Sequence, residues 1–161
     1  MPTLPVLDNT VLTNFASVKR TEVVLQLWPT ACTTAATLAE YQAGAARDAG
    51  QMPLSAWSAL PIIALTEAET AFGAGLPHRL GAGERSGLAV AHARAGVFVS
   101  DDGQARLIAQ RWGVPTTGTL GILLAGVKRN SLSRQAANDL LREMIALGYR
   151  SPVDRLDTLL D

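Results

Sequence analysis

Among 161 residues there is one cysteine and there are two histidines. The lone Cys32 excludes an internal disulfide framework and a cysteine-rich zinc site. Its neighbours are threonines, so it reads as a packed small hydrophobe. His78 lies in a Gly/Pro loop and His92 in a helical stretch. Neither has a cysteine or acid at ligand spacing, which argues against zinc. An excess of one charge is also missing: 14 Lys plus Arg balance 14 Asp plus Glu. That removes the simplest argument for a nucleic-acid binder, a strongly basic domain, although a local basic patch is independent of net charge. Aromatic residues are scarce at 5%. Trp28, Trp57 and Trp112 do not interleave with basic residues as single-strand platforms do, so packing is their expected role. No apolar run is long enough to span a bilayer. Met1 to Asp8 has no basic start followed by an apolar core, so no signal peptide is expected. A cytoplasmic setting is the simplest reading.

What the chain does have is a hydrophobic fraction of 48% against 17% charged residues. That suffices for a real core, and the length fits one domain, 1–161. Leu4 to Leu7 reads as a short buried strand ending at Asp8, with Pro5 near its start. Thr10 to Ala16 and Glu22 to Trp28 read as helices. Thr34 or Thr37 can cap a helix running to about Ala49, with Gly50 as its stop. Residues 51 to 60 read as a loop or short helix, and Leu60 to Leu65 as a strand. Thr66 to Glu69 fits a capping box. Glu84 to Ala95 is the next helix, and Val97 to Ser100 a buried strand running into Asp101–Asp102. Ala105, Ile108 and Trp112 share a helical face that ends at Gly113. Val114 to Thr117 is a short strand. Leu120, Leu123, Leu124 and Val127, then Ala137, Leu140, Leu141 and Met144, mark two core-facing helices, the second ending at Gly148. Ser151–Pro152 reads as N-cap and first residue of a short terminal helix within 151–161, a candidate interface segment. Short strands alternating with helices predict an α/β domain around a small, mostly parallel sheet covered on both faces.

In open α/β sheets ligands bind beyond the carboxyl ends of the strands. Two strands here run directly into acids, Asp8 and Asp101–Asp102, while Glu40 and Glu84 lie near helix starts. Four converging carboxylates repel one another unless a cation neutralises them. Such hard oxygen donors suit Mg²⁺ or Mn²⁺, which also engage phosphate oxygens. Each acid has a purely structural use as well. Asp8 and either Asp101 or Asp102 can cap the helices that follow them. Glu40 can complete a capping box with Thr37, and Glu84 can serve a helix dipole. Arg106, Arg111, Lys128 and Arg129 are the cations best placed for phosphates. The last three also suit helix C-termini, which leaves Arg106 as the substrate-binding candidate.

The order of these residues resembles the PIN-domain family. Val6-Leu7-Asp8-Asn9-Thr10 looks like its first strand, acid and small hydroxyl residue. Thr34 to Tyr41, with Glu40, looks like its second motif. Leu80-Gly81-Ala82-Gly83-Glu84 followed by Ala89, then Asp101-Asp102 with Ala105-Arg106, then Thr117-Gly118-Thr119-Leu120-Gly121, resemble the "LGxGE…A", "DD…AR" and "TGT-G-L" segments of a subgroup related to VapC-type toxins. The resemblance runs from residue 4 to about residue 150. It implies a Rossmann-like three-layer α/β/α fold with about four to five strands. It also implies an endoribonuclease with Asp8, Glu40, Glu84 and Asp101 on Mg²⁺ or Mn²⁺. Asp102 is the alternative to Asp101, and Thr10, Thr117 and Thr119 are supporting hydroxyls. The implied partners are RNA, a small basic antitoxin protein and a second copy in a homodimer. A PIN-like binding module without turnover is the rival reading. Phosphoaspartate chemistry is excluded by Asp8-Asn9-Thr10, which lacks a second acid at the required spacing.

Overall fold

The computed structural model describes residues 3–47 and 53–161. Strand β1 (Pro5–Leu7) pairs in parallel with β4 (Val97–Val99), and β4 with β5 (Thr116–Thr117). On the other flank β2 (Thr33–Thr34) pairs in parallel with β3 (Ile62–Ile63). Two backbone bonds join the halves: Leu7 N donates to Cys32 O at 2.8 Å, and Cys32 N to Pro5 O at 2.9 Å. The three-stranded sheet β1-β4-β5 and the two-stranded sheet β2-β3 are thus linked by a parallel bridge between Val6 and Cys32, giving the spatial order β3-β2-β1-β4-β5. The chain thus first builds outward from β1 on one side, then returns to build on the other. The crevice between β1 and β4 is the point where strand order reverses.

Strand alternation sorts the core into two layers. Leu7 and Val99 face one apolar cluster, and their neighbours Val6 and Phe98 face the other. The first layer is covered by α1 (Asn9–Ser17), α2 (Thr21–Leu27), α3 (Ala35–Arg47), α7 (Thr119–Lys128) and α8 (Arg134–Ala146). The second is covered mainly by α5 (Ala82–Ala93) and α6 (Gly103–Arg111), with α4 (Glu67–Ala74) outside α5. Trp57, in a short 3₁₀ turn (Leu54–Trp57), is buried, and its indole N–H donates to Leu12 O at 3.2 Å. Cys32 is buried beside Val6, and burial pushes its thiol up to about 11, as expected of a packed hydrophobe.

Local signals explain most boundaries. Thr66 and Glu69 form the predicted capping box on α4. Arg94 then clamps Glu69 through Nε (2.7 Å) and Nη2 (3.0 Å), holding that carboxyl below its usual range. Gly113 and Gly148, at φ 71° and 113°, follow α6 and α8. Thr34 rather than Thr37 caps α3, taking the Thr37 amide at 3.2 Å. The expected stop of that helix at Ala49–Gly50 lies outside the described residues. Three expectations need correction. Ser151–Pro152 does not open a helix; Ser151 Oγ instead accepts from Val153 N in a local turn, and the terminal helix α9 starts at Asp157 (Asp157–Leu160). The turn seats Leu156, fully buried, with its amide on Asn138 Oδ1 at 2.8 Å. Trp112 does not point into the core: it follows the last turn of α6, is 51% exposed, and packs edge-on against Phe72 and His92, which stack on each other. The strand expected over Leu60 to Leu65 shrinks to Ile62–Ile63, an edge strand whose outer side has no partner among the described residues.

Candidate active site

Asp8 follows β1, and Ser100-Asp101-Asp102 follows β4, so both acidic junctions flank the crevice where strand order reverses. Asp8 is 2% exposed. Its Oδ2 accepts from Ser100 Oγ at 2.7 Å and from Thr10 Oγ1 at 3.3 Å. Its Oδ1 is buried with no hydrogen-bond partner. Although Asp8 occupies the N-cap position of α1, its side chain makes no cap bond. Helix capping therefore does not explain this residue. An unpaired buried carboxylate oxygen is costly. Burial pushes the Asp8 carboxyl up to about 6, with the Ser100 hydroxyl and the Asn9 backbone N–H opposing the rise and Glu40 adding to it.

Glu40 lies in the second turn of α3, too far into the helix for a capping box with Thr37. Its Oε1 accepts from Gly83 N at 2.8 Å. The Leu-Gly-x-Gly-Glu run acquires a physical meaning here. A Cβ on Gly81 would come within 2.8 Å of Glu40 Oε1, and one on Gly83 within 2.7 Å of Oε2. The two glycines leave the space in which the Glu40 carboxylate rests. Glu84 is the third residue of α5 and reaches back to Gly81 N at 2.9 Å. Burial, followed by the charges of Asp8, Asp102 and Glu40, pushes its carboxyl up to about 7. Thr37 Oγ1 donates to Gly83 O (3.2 Å) across the α3–α5 contact, while Ser86 Oγ donates to the same carbonyl (2.8 Å) from within α5.

Asp101 and Asp102 differ. Asp101 accepts Thr119 N at 2.8 Å on Oδ1, and Thr119 Oγ1 at 2.5 Å and Asn14 Nδ2 at 3.0 Å on Oδ2. Tyr149 lies near the same carboxylate; burial, and then the Asp101 charge, push its hydroxyl up. Its backbone N–H donates to Thr10 Oγ1 at 2.9 Å. Asp101 thus ties the start of α7 to α1. Asp102 caps α6, its Oδ1 taking Ala105 N at 2.8 Å. Its Oδ2 has no hydrogen bond among the described residues, and its charge is one of those acting on Glu84. Thr117 lies at the end of β5, against Gly121.

Asp8, Glu40, Glu84 and Asp102 are thus linked through mutual repulsion, while Asp101 is consumed by hydrogen bonds one step away. Among the described residues, no three of these side chains already stand at metal-ligating distance from one point. The donor set nevertheless suits a hard divalent ion: carboxylate oxygens only, one of them a buried orphan. Sequence reasoning missed three participants. Ser100 was signalled only as a hydroxyl closing an apolar strand, and Asn14 only as a polar residue one helical turn beyond Thr10. Tyr149 had no local signal, because it meets Asp101 through the tertiary fold.

Among the described residues no helix is long and apolar enough to cross a membrane. No curated protein and no solved structure matches the chain. A family model described as a PIN domain matches residues 4–161. With that match running over nearly its whole length, the chain belongs to the PIN-domain family, whose members are generally nucleases that use divalent metal ions.

Proposed function

We propose that the chain is a metal-dependent endoribonuclease that hydrolyses RNA phosphodiester bonds on Mg²⁺ or Mn²⁺. One observation carries the reading: the orphaned, buried Oδ1 of Asp8 beside carboxylates whose burial and mutual repulsion call for a cation. When bound, such an ion activates water and stabilises the leaving oxygen of a phosphodiester. The residues of the chain prepare its seat. Ser100 and Thr10 hold Asp8 Oδ2, leaving Oδ1 for the ion. Gly83 N–H orients Glu40 and Gly81 N–H orients Glu84. The resemblance places Asp101 in the cage with Asp102 as the alternative; the hydrogen bonding favours Asp102 as the fourth acid and gives Asp101 a clamping role. Below neutral pH, Asp8 and Glu84 carry protons that the ion must displace, so metal uptake weakens and releases protons as pH falls.

The VapC-type motifs support a toxin of a toxin–antitoxin pair, active in the cytoplasm as a homodimer over the single domain 1–161, with a small basic antitoxin protein covering the acidic crevice. A second reading, a PIN-like module that binds without turnover, is favoured by one observation, the lack of a preassembled three-ligand cluster among the described residues. The two separate on cleavage of mixed single-stranded RNA with Mg²⁺ or Mn²⁺, comparing wild type, Asp8→Asn and an EDTA control. The nuclease reading expects cleavage that EDTA and Asp8→Asn both abolish. RNA or partner binding without cleavage under any metal supports the module.

A further inference from the structure

Beside the acidic crevice lies a cavity of about 480 Å³ between the β5–α7 turn and the segment after α8. Its size falls within the range of small-ligand pockets. Two cations border it, Arg106 from α6 and Arg150. Neither has an ion pair among the described residues, so both guanidinium groups are free for an anion. The Arg106 guanidinium is held close: Nη1 lies 3.4 Å from where a Cβ on Gly118 would stand, so the glycine leaves it room. Tyr149 lines the same cavity and packs against the main apolar core, which holds its ring in place. Leu120, Val153 and Leu159 add apolar wall. Asp101 is present too, but its oxygens already accept from Thr119 and Asn14, which disperses its charge.

We infer that this cavity is a subsite for one nucleotide of the single strand, with Arg106 and Arg150 on its phosphate and Tyr149 against its base. Guanidinium groups suit phosphate oxygens, and an aromatic face beside cations is how proteins hold unstacked bases. A free inorganic anion would leave the tyrosine and apolar wall unused. An acidic peptide would leave no use for a locked ring. The subsite is coupled to the acids through one hydroxyl: Thr10 Oγ1 donates to Asp8 Oδ2 and accepts from Asp101 N. A nucleotide held here therefore places its neighbouring phosphate at the crevice. This placement rests on the nuclease reading; the binding itself does not.

The test is fluorescence anisotropy of a labelled mixed 12-nucleotide single-stranded RNA, and DNA of the same sequence, with the full chain carrying Asp8→Asn in EDTA, so that binding is read without cleavage. Against that parent, Arg106→Ala and Arg150→Ala are each expected to weaken binding and to lower the slope of log Kd against log salt by about one. Tyr149→Ala is expected to weaken binding about fivefold or more with the slope unchanged. Arg106→Lys retains the salt slope, and Arg142→Ala, on the exposed face of α8, changes nothing. Arg150 is exposed, so Arg150→Ala keeps the test open if the tyrosine variant fails to fold. Parent-like binding by Arg106→Ala and Arg150→Ala overturns the subsite, as does failure of the parent to bind either strand at low salt. Loss of binding in these variants from a wild type that never cleaves upholds the subsite and defeats the nuclease reading instead.

Discussion

Two neighbouring acids at the carboxyl edge of one sheet, Asp8 and Asp101, have opposite environments. Asp8 is almost wholly buried, with one oxygen unpaired and its carboxyl pushed up to about 6. Asp101 is half-buried and saturated by Thr119 N, Thr119 Oγ1 and Asn14 Nδ2. The fold spends Asp101 on tying α7 to α1 and leaves Asp8 in an unfavourable state that only a proton or a cation relieves. Position at a strand end therefore does not by itself define a ligand. The deciding property is whether the oxygens are already occupied.

The sharpest way to break this comparison is Asp8→Asn. Metal-dependent cleavage is expected to fall by about two to three orders of magnitude or more, the scale seen when one electrostatic element of an active site is removed. In EDTA at pH 7.5 the same variant is expected to melt at a higher temperature than wild type, because it removes a buried charge. A lower melting temperature would place Asp8 with Asp101 as a structural residue. Next in size is Gly83→Ala, whose new Cβ would stand 2.7 Å from Glu40 Oε2. Displacing a ligand's support costs about tenfold to a hundredfold in metal affinity, measurable by Mn²⁺ titration; the new Cβ would also stand 3.0 Å from Thr37 Cα, so a loss of stability accompanies it.

Asp101→Ala sharpens the comparison from the other side. It strips the buried Thr119 of a carboxylate partner for its amide, at about 1–3 kcal/mol, or about 2–12 °C of melting temperature for a chain of this size. Mn²⁺ affinity is expected to change less than in Asp102→Asn. The reverse ranking would return Asp101 to the cage.

Acid–base linkage tests the same comparison through pH. A carboxyl raised in the folded state contributes stability that is fully present below its unfolded pKa and is lost as pH rises through its folded value. For Asp8 that window runs from about 4 to about 6, and for Glu84 from about 4.5 to about 7. The Asp8 shift corresponds to about 3 kcal/mol. Glu84 contributes less than its shift implies, because its side chain is partly exposed and screened. Thermal melts in EDTA should accordingly lose stability between pH 4 and 7, and saturating Mg²⁺ should recover it at pH 7.5 but not at pH 5. A melting temperature that stays flat in EDTA and is unmoved by metal would contradict the strained crevice.

Most of the fold was legible because its signals are local. Asp8 and Asp101 terminate apolar runs, Thr66 and Glu69 meet within one turn, and Val6/Leu7 and Phe98/Val99 alternate between layers. The Leu-Gly-x-Gly-Glu run could be recognised, but its reason could not: Gly81 and Gly83 are small to admit Glu40, which lies far earlier in the chain, on α3. Asn14, Ser100 and Tyr149 acquire roles only through contacts across the sheet. Ser151–Pro152 carries the composition of a helix start, yet burial of Leu156 and its bond to Asn138 decide that segment instead.

The central claim is that Asp8 and its acidic neighbours hold a divalent ion. Calorimetric titration of Mn²⁺ into the metal-free protein at pH 7.5, repeated at pH 5 and with Asp8→Asn, tests it most directly. Saturable binding at pH 7.5 that weakens at pH 5 and is lost in Asp8→Asn is the predicted result. Binding that is pH-independent and unchanged in Asp8→Asn, or no saturable binding at pH 7.5, would contradict it.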